Sequence, residues 1–294
     1  MKPPTKLRIV FYDPSGSGGI CHYTYELAES LSRAGVDVTV LTIEDYELKH
    51  LPRSFKLKII FRRSRVIRCL FGWMSQIRGK LLPEPGAFGD RQLDDQPDPA
   101  ASKRISILGI LQLLRFRIIL LRAVWSFLLS RPHVIHFQWL TDHNEDYYFI
   151  RLLKLFRFTV VYTAHDVLPH DCNSPHMQQA LNRIYRMVDR IIVHAESNKK
   201  EIISMFDVHA SCISVIPHGS YELVYAHKHL SKEVARQELG IPQEKSVILF
   251  FGVIKRYKGL EYLVDAFRQV KTKESDAMLL IVGRIYDGDA EGFR

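Results

Sequence analysis

The chain has 294 residues, 47% of them hydrophobic, and a formal net charge of +9. This length suits one large domain or two of ordinary size, and the hydrophobic content can fill a core. There is no run of eighteen apolar residues and no signal-peptide pattern, so we expect neither a transmembrane span nor secretion. The four cysteines are scattered without CxxC pairs, which favours a reducing cytoplasm over a disulfide scaffold or a zinc site.

The positive charge is concentrated in two segments. Ten Lys and Arg and no acid lie between Leu48 and Pro83, and six more lie between Ala101 and Thr141, again without an acid. Such patches suit anionic partners, whether phospholipid headgroups, nucleotide phosphates or nucleic acid. A solvated basic face explains the pattern equally well.

Strand and helix patterns alternate from the start of the chain. An apolar run at 7–12 predicts a strand, helical spacing from Ile20 to Leu31 predicts a helix that stops at Gly35, and a second strand follows at 36–42. Ser197 is the expected cap of a later helix. The remaining strands are predicted at 134–137, 158–162, 190–194 and 213–216, and helices at 105–129, 147–156 and 175–188. This alternation predicts an α/β fold with a doubly wound parallel sheet.

Two interruptions divide the chain. Residues 83–101 are rich in proline and acids and predict a mobile surface loop. A polar connector is predicted over 219–244. We therefore expect a Rossmann-like domain over 1–218 and the start of a second one over 245–294, in which a helix at 260–270 joins strands at 247–251 and 278–282.

A glycine-rich loop at 15–19 joins the first strand to the first helix. Glycines there let a ligand approach the backbone, and a helix N-terminus attracts phosphate. The dinucleotide fingerprint GxGxxG fails because Cys21 occupies its third glycine position. We expect Gly18 and Gly19 to contact a ligand; a tight turn without one is the alternative.

His165 lies just after a predicted strand, at the edge where open α/β sheets bind ligands. A histidine there can hydrogen-bond a sugar hydroxyl or transfer a proton near neutral pH. The alternative is a strand-end histidine satisfied by backbone. Metal binding is a further alternative, because His165 is followed by Asp166, His170 and Asp171. Their ordinary spacing in a loop disfavours it.

A second strand–helix joint carries three cations between two glycines: Lys255, Arg256 and Lys258. A glycine turn with such cations is a natural clamp for a diphosphate, because arginine binds it bidentately and lysine acts as a point charge. Cations at a helix N-terminus oppose the helix dipole, which disfavours a loop without an anionic ligand.

The long helix predicted at 105–129 has Arg104, Arg115 and Arg122 on one side and is apolar elsewhere. Such a helix is either buried or lies in a membrane interface with its arginines outward.

Taken in order, these motifs resemble the retaining, GT-B-fold glycosyltransferases of family 4, also called group 1. The resemblance covers most of the chain and rests on the glycine loop and on residues 162–166, 189–197, 215–219 and 251–259. It implies a GT-B-like pair of Rossmann-like domains. It also implies transfer of a sugar from a nucleotide diphosphate sugar to a glycan or lipid-linked hydroxyl, with retention and without a metal or other cofactor.

The resemblance also implies residue roles. His165 would approach the transferred sugar as the catalytic residue. Val253 stands where many members have arginine, so Lys255 or Arg256 would take that role. The donor-binding residues, expected to meet His165 in one cleft between the domains, are Gly18, Gly19, Lys255, Arg256 and Lys258.

One feature of the family is missing. Members carry two glutamates separated by seven residues, and no glutamate of this chain has another eight positions later. We therefore expect a C-terminally truncated enzyme of polysaccharide biosynthesis, of uncertain activity as it stands. The alternatives are a catalytically dead remnant that acts as a binding module and a dinucleotide-binding Rossmann protein.

The expected partners follow from the resemblance and from the basic segments. They are a nucleotide sugar, a glycan or lipid-linked acceptor and an anionic membrane surface; no nucleic acid is expected. The predicted location is cytoplasmic, with peripheral attachment at the inner face of the membrane.

Overall fold

A computed structural model of the chain describes residues 6–61, 107–168, 175–225 and 230–285. The chain divides into two units, residues 1–226 and 227–294. The loop expected at 83–101 lies outside the described residues, as do Arg104, His170 and Asp171.

The first unit is built on a parallel sheet. Its described strands are β1 Arg8–Tyr12, β2 Asp37–Ile43, β3 Lys56–Phe61, β4 Val134–Phe137, β5 Val160–Thr163, β6 Arg190–Val193 and β7 Ile213–Val215. They lie in the order β3-β2-β1-β4-β5-β6-β7, and every pairing is parallel. The predicted α/β class with a parallel, doubly wound sheet is confirmed.

Helices cover both faces of this sheet. They are α1 Gly18–Arg33, α2 Ile107–Ser130, α3 His143–Leu155, α4 Pro175–Tyr185, α5 Glu196–Met205 and the short α6 Glu222–Tyr225. Because side chains alternate along a strand, Tyr12 of β1 packs with Phe149 of α3, whereas its neighbour Phe11 joins the cluster that contains Cys21 of α1. Because every described pairing is parallel, the carboxyl ends of the strands lie at one edge of the sheet.

The strand β3 was not predicted, because its lysines were assigned only to the basic segment. Lys56 pairs with Asp37 at 2.9 Å and Lys58 donates to Ser126, while Leu57 packs against the α1 side of the core. Lysines on a strand at the sheet edge discourage pairing with another chain. Part of the basic segment is therefore a sheet edge.

Ser197 does not cap α5, so that prediction was wrong. The cap position is Ala195, which provides no side-chain hydrogen bond, and the Ser197 hydroxyl donates to Asn198 instead. The helix begins at Glu196, whose negative charge suits a first turn.

Over residues 117–130, where its side chains are described, the long helix α2 is half buried. Leu120, Val124 and Phe127 are in the core. The opposite side, called here the α2 apolar face, is exposed by 54–72% and consists of Ile118, Leu121, Trp125 and Leu129. No helix within the described ranges has the length and hydropathy needed to span a bilayer.

The second unit contains α7 Lys232–Glu238, β8 Ser246–Phe251, α8 Leu260–Lys273 and β9 Ala277–Val282. Strands β8 and β9 pair in parallel over their full length. Just beyond them the backbones meet closely: a Cβ at Gly283 would lie 1.7 Å from the carbonyl oxygen of Gly252, and Gly252 N donates to Val282 O at 2.9 Å. Only glycine fits at position 283.

We predict that Gly283→Ala destabilises the second unit by roughly 1–3 kcal/mol, the usual cost of forcing atoms into filled space. Urea unfolding followed by hydrogen exchange of α8 measures this. Gly219→Ala is the control, because nothing lies within 4 Å of a Cβ there. Equal stability of the two variants would show that the close approach is not a constraint.

Candidate functional site

The carboxyl ends of the parallel strands bring three histidines into one row. His165, His194 and His218 follow β5, β6 and β7, and their ring centroids are 5.1 Å apart from one to the next. Tyr23 of α1 contacts all three rings, at 4.9, 5.2 and 4.9 Å. The predicted site residue His165 thus belongs to a cluster, called here the histidine row, whose other members were not predicted.

Hydrogen bonds connect the row to the sheet. His194 Nδ1 lies 3.0 Å from the carbonyl oxygen of Ile216, and His194 Nε2 lies 3.2 Å from His165 Nδ1. His218 Nε2 lies 3.2 Å from the hydroxyl of Tyr221. His165 Nε2 is enclosed and has no hydrogen-bond partner among the described residues.

The row is flanked by a second buried histidine. His136 of β4 lies with its Nε2 2.8 Å from Thr163 Oγ1. Burial, reinforced by His165, lowers the pKa of His136 to about 3. Burial, with the neighbouring His194 and His218, lowers the pKa of His165 to about 3 as well. Both rings are neutral at neutral pH, so His165 acts as a hydrogen-bonding group there and not as a cation.

Gln138, directly after β4, adds a further polar group at this edge. It is fully buried, and neither atom of its amide has a hydrogen-bond partner within the described ranges. Buried polar groups are nearly always paired, so an unpaired one calls for an explanation such as a ligand or water. His165 and Gln138 thus leave polar groups unsatisfied at neighbouring strand ends.

The glycine loop is held by a buried carboxylate. Asp13 Oδ1, directly after β1, accepts from the Ser15 amide, the Ser15 hydroxyl and the Gly16 amide. Burial raises the pKa of Asp13 despite these bonds. Gly16 and Gly18 have φ of +57° and +72°, a region that glycine enters without strain.

The N-terminus of α1 is already in contact with an anion. The Gly18 amide donates to Glu47 Oε2 at 2.7 Å, and Glu47 Oε1 lies 3.2 Å from His22 Nε2. The bond from Gly18, followed by the contact with His22, holds the pKa of Glu47 below its usual value. A phosphate that binds Gly18 would have to displace Glu47, a competition that the sequence did not indicate.

The second predicted loop, in the second unit, is built as an open helix start. Lys258 Nζ lies 3.5 Å from the position of a Cβ on Gly252, and Gly259 begins α8 in the left-handed region without a side-chain cap. Lys255 Nζ is 5.7 Å from the ring centroid of Tyr257. Arg256 lies in the same turn, and its side chain is outside the described atoms.

The structure therefore brings the predicted residues together within each unit. Gly18, Gly19 and His165 share one edge of the first sheet, and Tyr221 lies near both Gly19 and the histidine row. Lys255 and Lys258 flank the turn after β8. That the two groups meet in one cleft stays a prediction. Within the described ranges, no group of three or more His, Cys, Asp or Glu could hold a metal ion.

Comparison with known families agrees with this arrangement. The family model described as glycosyl transferase 4-like domain matches residues 18–219, and the one described as glycosyl transferases group 1 matches 231–292. The chain belongs to the group 1, GT-B glycosyltransferases. Gly18 and Gly19 of the first loop, the second predicted loop and the histidine row lie within the matched ranges.

Curated relatives of this glycosyltransferase match over shorter stretches. The lipopolysaccharide 1,2-N-acetylglucosaminetransferase of Salmonella typhimurium is 34% identical over 77 residues, 26% of this chain and 20% of that protein. The D-inositol 3-phosphate glycosyltransferase of Corynebacterium glutamicum is 24% identical over 141 residues, 45% of this chain and 34% of that one.

Solved structures show the same fold. HepE of Anabaena in complex with UDP and glucose has a TM-score of 0.62 at 17% identity, over 97% of this chain and 63% of that one. A glycosyltransferase of Rickettsia africae has a TM-score of 0.58 at 16% identity, over 95% of this chain and 61% of that one. The chain thus spans less than two thirds of these relatives.

The neutral, buried His136 predicts a measurable dependence of stability on pH. In the unfolded chain a histidine becomes protonated below its ordinary pKa of 6.5, whereas in the folded protein His136 stays unprotonated down to about pH 3. Because the unfolded state binds more protons between these two values, stability falls as pH falls through this window. His136→Gln removes the titration but keeps a partner for Thr163. The slope of unfolding free energy against pH should decrease by up to about 1.4 kcal/mol per pH unit.

Urea unfolding at a series of pH values measures that slope. Burial raises the pKa of Asp146 to about 8 and opposes the trend, but Asp146 is present in both proteins and cancels in the comparison. Parallel curves for wild type and His136→Gln between pH 6.5 and 3 would contradict the prediction.

Proposed function

We propose that this chain forms part of an enzyme that transfers a sugar from a nucleotide diphosphate sugar to a hydroxyl acceptor. The observation that carries the proposal is the turn after β8, within the stretch that matches the group 1 family. Lys258 there lies beside the bare backbone of Gly252 and makes no ion pair with the described residues. An exposed cation at an uncapped helix start is suited to a diphosphate.

Relatives support the choice of donor. HepE of Anabaena has been solved with UDP-glucose, and the Salmonella relative is named for the transfer of N-acetylglucosamine. We infer a donor of the same chemical class, a sugar linked to a nucleoside diphosphate. Lys258 then binds the diphosphate, with Lys255 and Arg256 as further cations, and Gly18 and Gly19 are the donor-binding groups that we propose for the first unit.

The proposed reaction proceeds with retention at the sugar and without a metal. Neutral His165 accepts a hydrogen bond from the transferred sugar or donates one to it, because a neutral imidazole has one donor and one acceptor nitrogen. For the acceptor we propose a glycan or a lipid-linked hydroxyl. A shallow depression beside β5, lined by Trp139, His143 and Asp166 among others, offers an aromatic and a carboxylate to a sugar.

We predict that Lys258→Ala weakens binding of UDP- and GDP-sugars by roughly ten- to a hundredfold, the range expected for a lost charge-assisted hydrogen bond. Lys273→Ala, which removes the same charge from the far end of α8, should leave affinity unchanged. Calorimetry with a panel of nucleotide sugars and NAD measures both. Equal affinity of the two variants would contradict the diphosphate-binding role of Lys258. Tight binding of NAD alone would favour a dinucleotide-binding protein. Binding of a nucleotide sugar without turnover would favour a catalytically dead remnant.

We also propose peripheral attachment to an anionic membrane, at its cytoplasmic face. The α2 apolar face presents Trp125 beside exposed Arg122. Lys58 of β3 donates to Ser126 of the same helix, so the basic segment approaches this side. An aromatic residue with apolar neighbours and a surrounding positive charge is typical of interfacial helices.

Vesicle binding tests this face. Trp125→Ser should reduce binding to phosphatidylglycerol vesicles several-fold, and raised salt should weaken binding by wild type because each basic residue contributes about 1 kcal/mol at low salt. Leu239→Ser, at an exposed leucine of the second unit, is the matched control. Equal binding to neutral vesicles, or no effect of Trp125→Ser, would contradict attachment through α2.

A further inference from the structure

The hydrogen bonds of the histidine row have a fixed direction. A carbonyl oxygen can only accept, so the contact of Ile216 O with His194 at 3.0 Å requires a proton on His194 Nδ1. In a neutral ring the other nitrogen, Nε2, then carries a lone pair. That lone pair faces His165 Nδ1 at 3.2 Å and must accept a hydrogen bond from its N–H group.

The remaining nitrogen of His165 is thereby determined. With its proton on Nδ1, His165 has a lone pair on Nε2, the enclosed atom without a partner in the described part of the chain. The opposite direction would put protons on both ring nitrogens of His194 and so place a positive charge next to the imidazole rings of His165 and His218. The neutral chain of bonds is therefore the favoured arrangement.

We propose that His194 is a positioning residue that fixes His165 in the Nδ1–H tautomer, so that His165 accepts a hydrogen bond from a ligand hydroxyl through Nε2. The proposal rests on the proposed function for the identity of that ligand, a sugar of a nucleotide diphosphate sugar. It makes the site selective in a simple way. A sugar O–H satisfies the lone pair, whereas a phosphate or carboxylate oxygen has no proton to offer and is repelled.

Several contacts support the positioning role. His194 follows β6 directly, and Ile216 N donates to Val193 O at 2.8 Å, so the sheet itself sets the position of both ends of the bond. Tyr23 packs edge-on against His165, with an interplanar angle of 89°, and limits its rotation.

Nitrogen NMR of the labelled chain tests the tautomer without any substrate. Long-range proton–nitrogen correlations distinguish a protonated from an unprotonated ring nitrogen, and His165→Gln assigns the signals. Wild type should show a protonated Nδ1 and an unprotonated Nε2. His194→Gln should keep this pattern, because its amide can accept from His165 and donate to Ile216, whereas His194→Phe should shift His165 toward the Nε2–H form.

Calorimetry then tests the consequence for the ligand. The affinity ratio of UDP-sugar to UDP should fall roughly two- to tenfold in His194→Phe, the range of one lost hydrogen bond, and should be kept in His194→Gln. A protonated Nε2 in wild type overturns the proposal even if His194→Phe does not fold. If wild type shows the expected tautomer but the affinity ratio is unchanged in His194→Phe, His165 Nε2 does not accept a hydrogen bond from a ligand hydroxyl, and that part of the proposal is overturned. Absence of any nucleotide-sugar binding overturns the proposed function alone.

Discussion

The parallel direction of the strands is the constraint on which the site depends. In a parallel sheet every strand ends at the same edge, so the residues that follow β1, β4, β5, β6 and β7 are neighbours although they are far apart in sequence. His165 and His194 are separated by 29 positions, yet their rings hydrogen-bond. Strand-like pairing continues past the named ends, since Ala164 N donates to Ile192 O at 2.9 Å. The backbone therefore determines where these side chains meet.

At the same edge, unsatisfied polar groups lower the stability of the first unit. Below it the strands are filled with fully buried apolar side chains such as Ile135, Val160 and Ile191. At the edge, Gln138 and His165 have buried polar atoms without partners in the described ranges. Each such atom costs about 1–3 kcal/mol. Unsatisfied polar groups beside a well-packed core are typical of a functional site.

The sequence predicts the fold better than it predicts the site, for physical reasons. β4 was located to the residue because all four of its positions are apolar or buried, whereas β3 was missed because lysines at a sheet edge resemble a solvated segment. Of the histidine row only His165 was predicted. His194 and His218 also follow strands, so the same rule about strand ends would have found them. Glu47 carries no such signal, since its contact with Gly18 depends on how a loop returns to α1.

That contact limits what the glycine loop can do. The amides of the loop already donate to side chains of the protein. Gly16 N donates to Asp13, and Gly18 N, the first amide of α1, donates to Glu47. A neutral ligand would gain little by replacing a charged carboxylate that already has a depressed pKa. A diphosphate carries more negative charge and can compete, and the displaced Glu47 would keep His22 as a partner. The phosphate-binding role expected of Gly18 therefore requires a ligand more anionic than a single carboxylate.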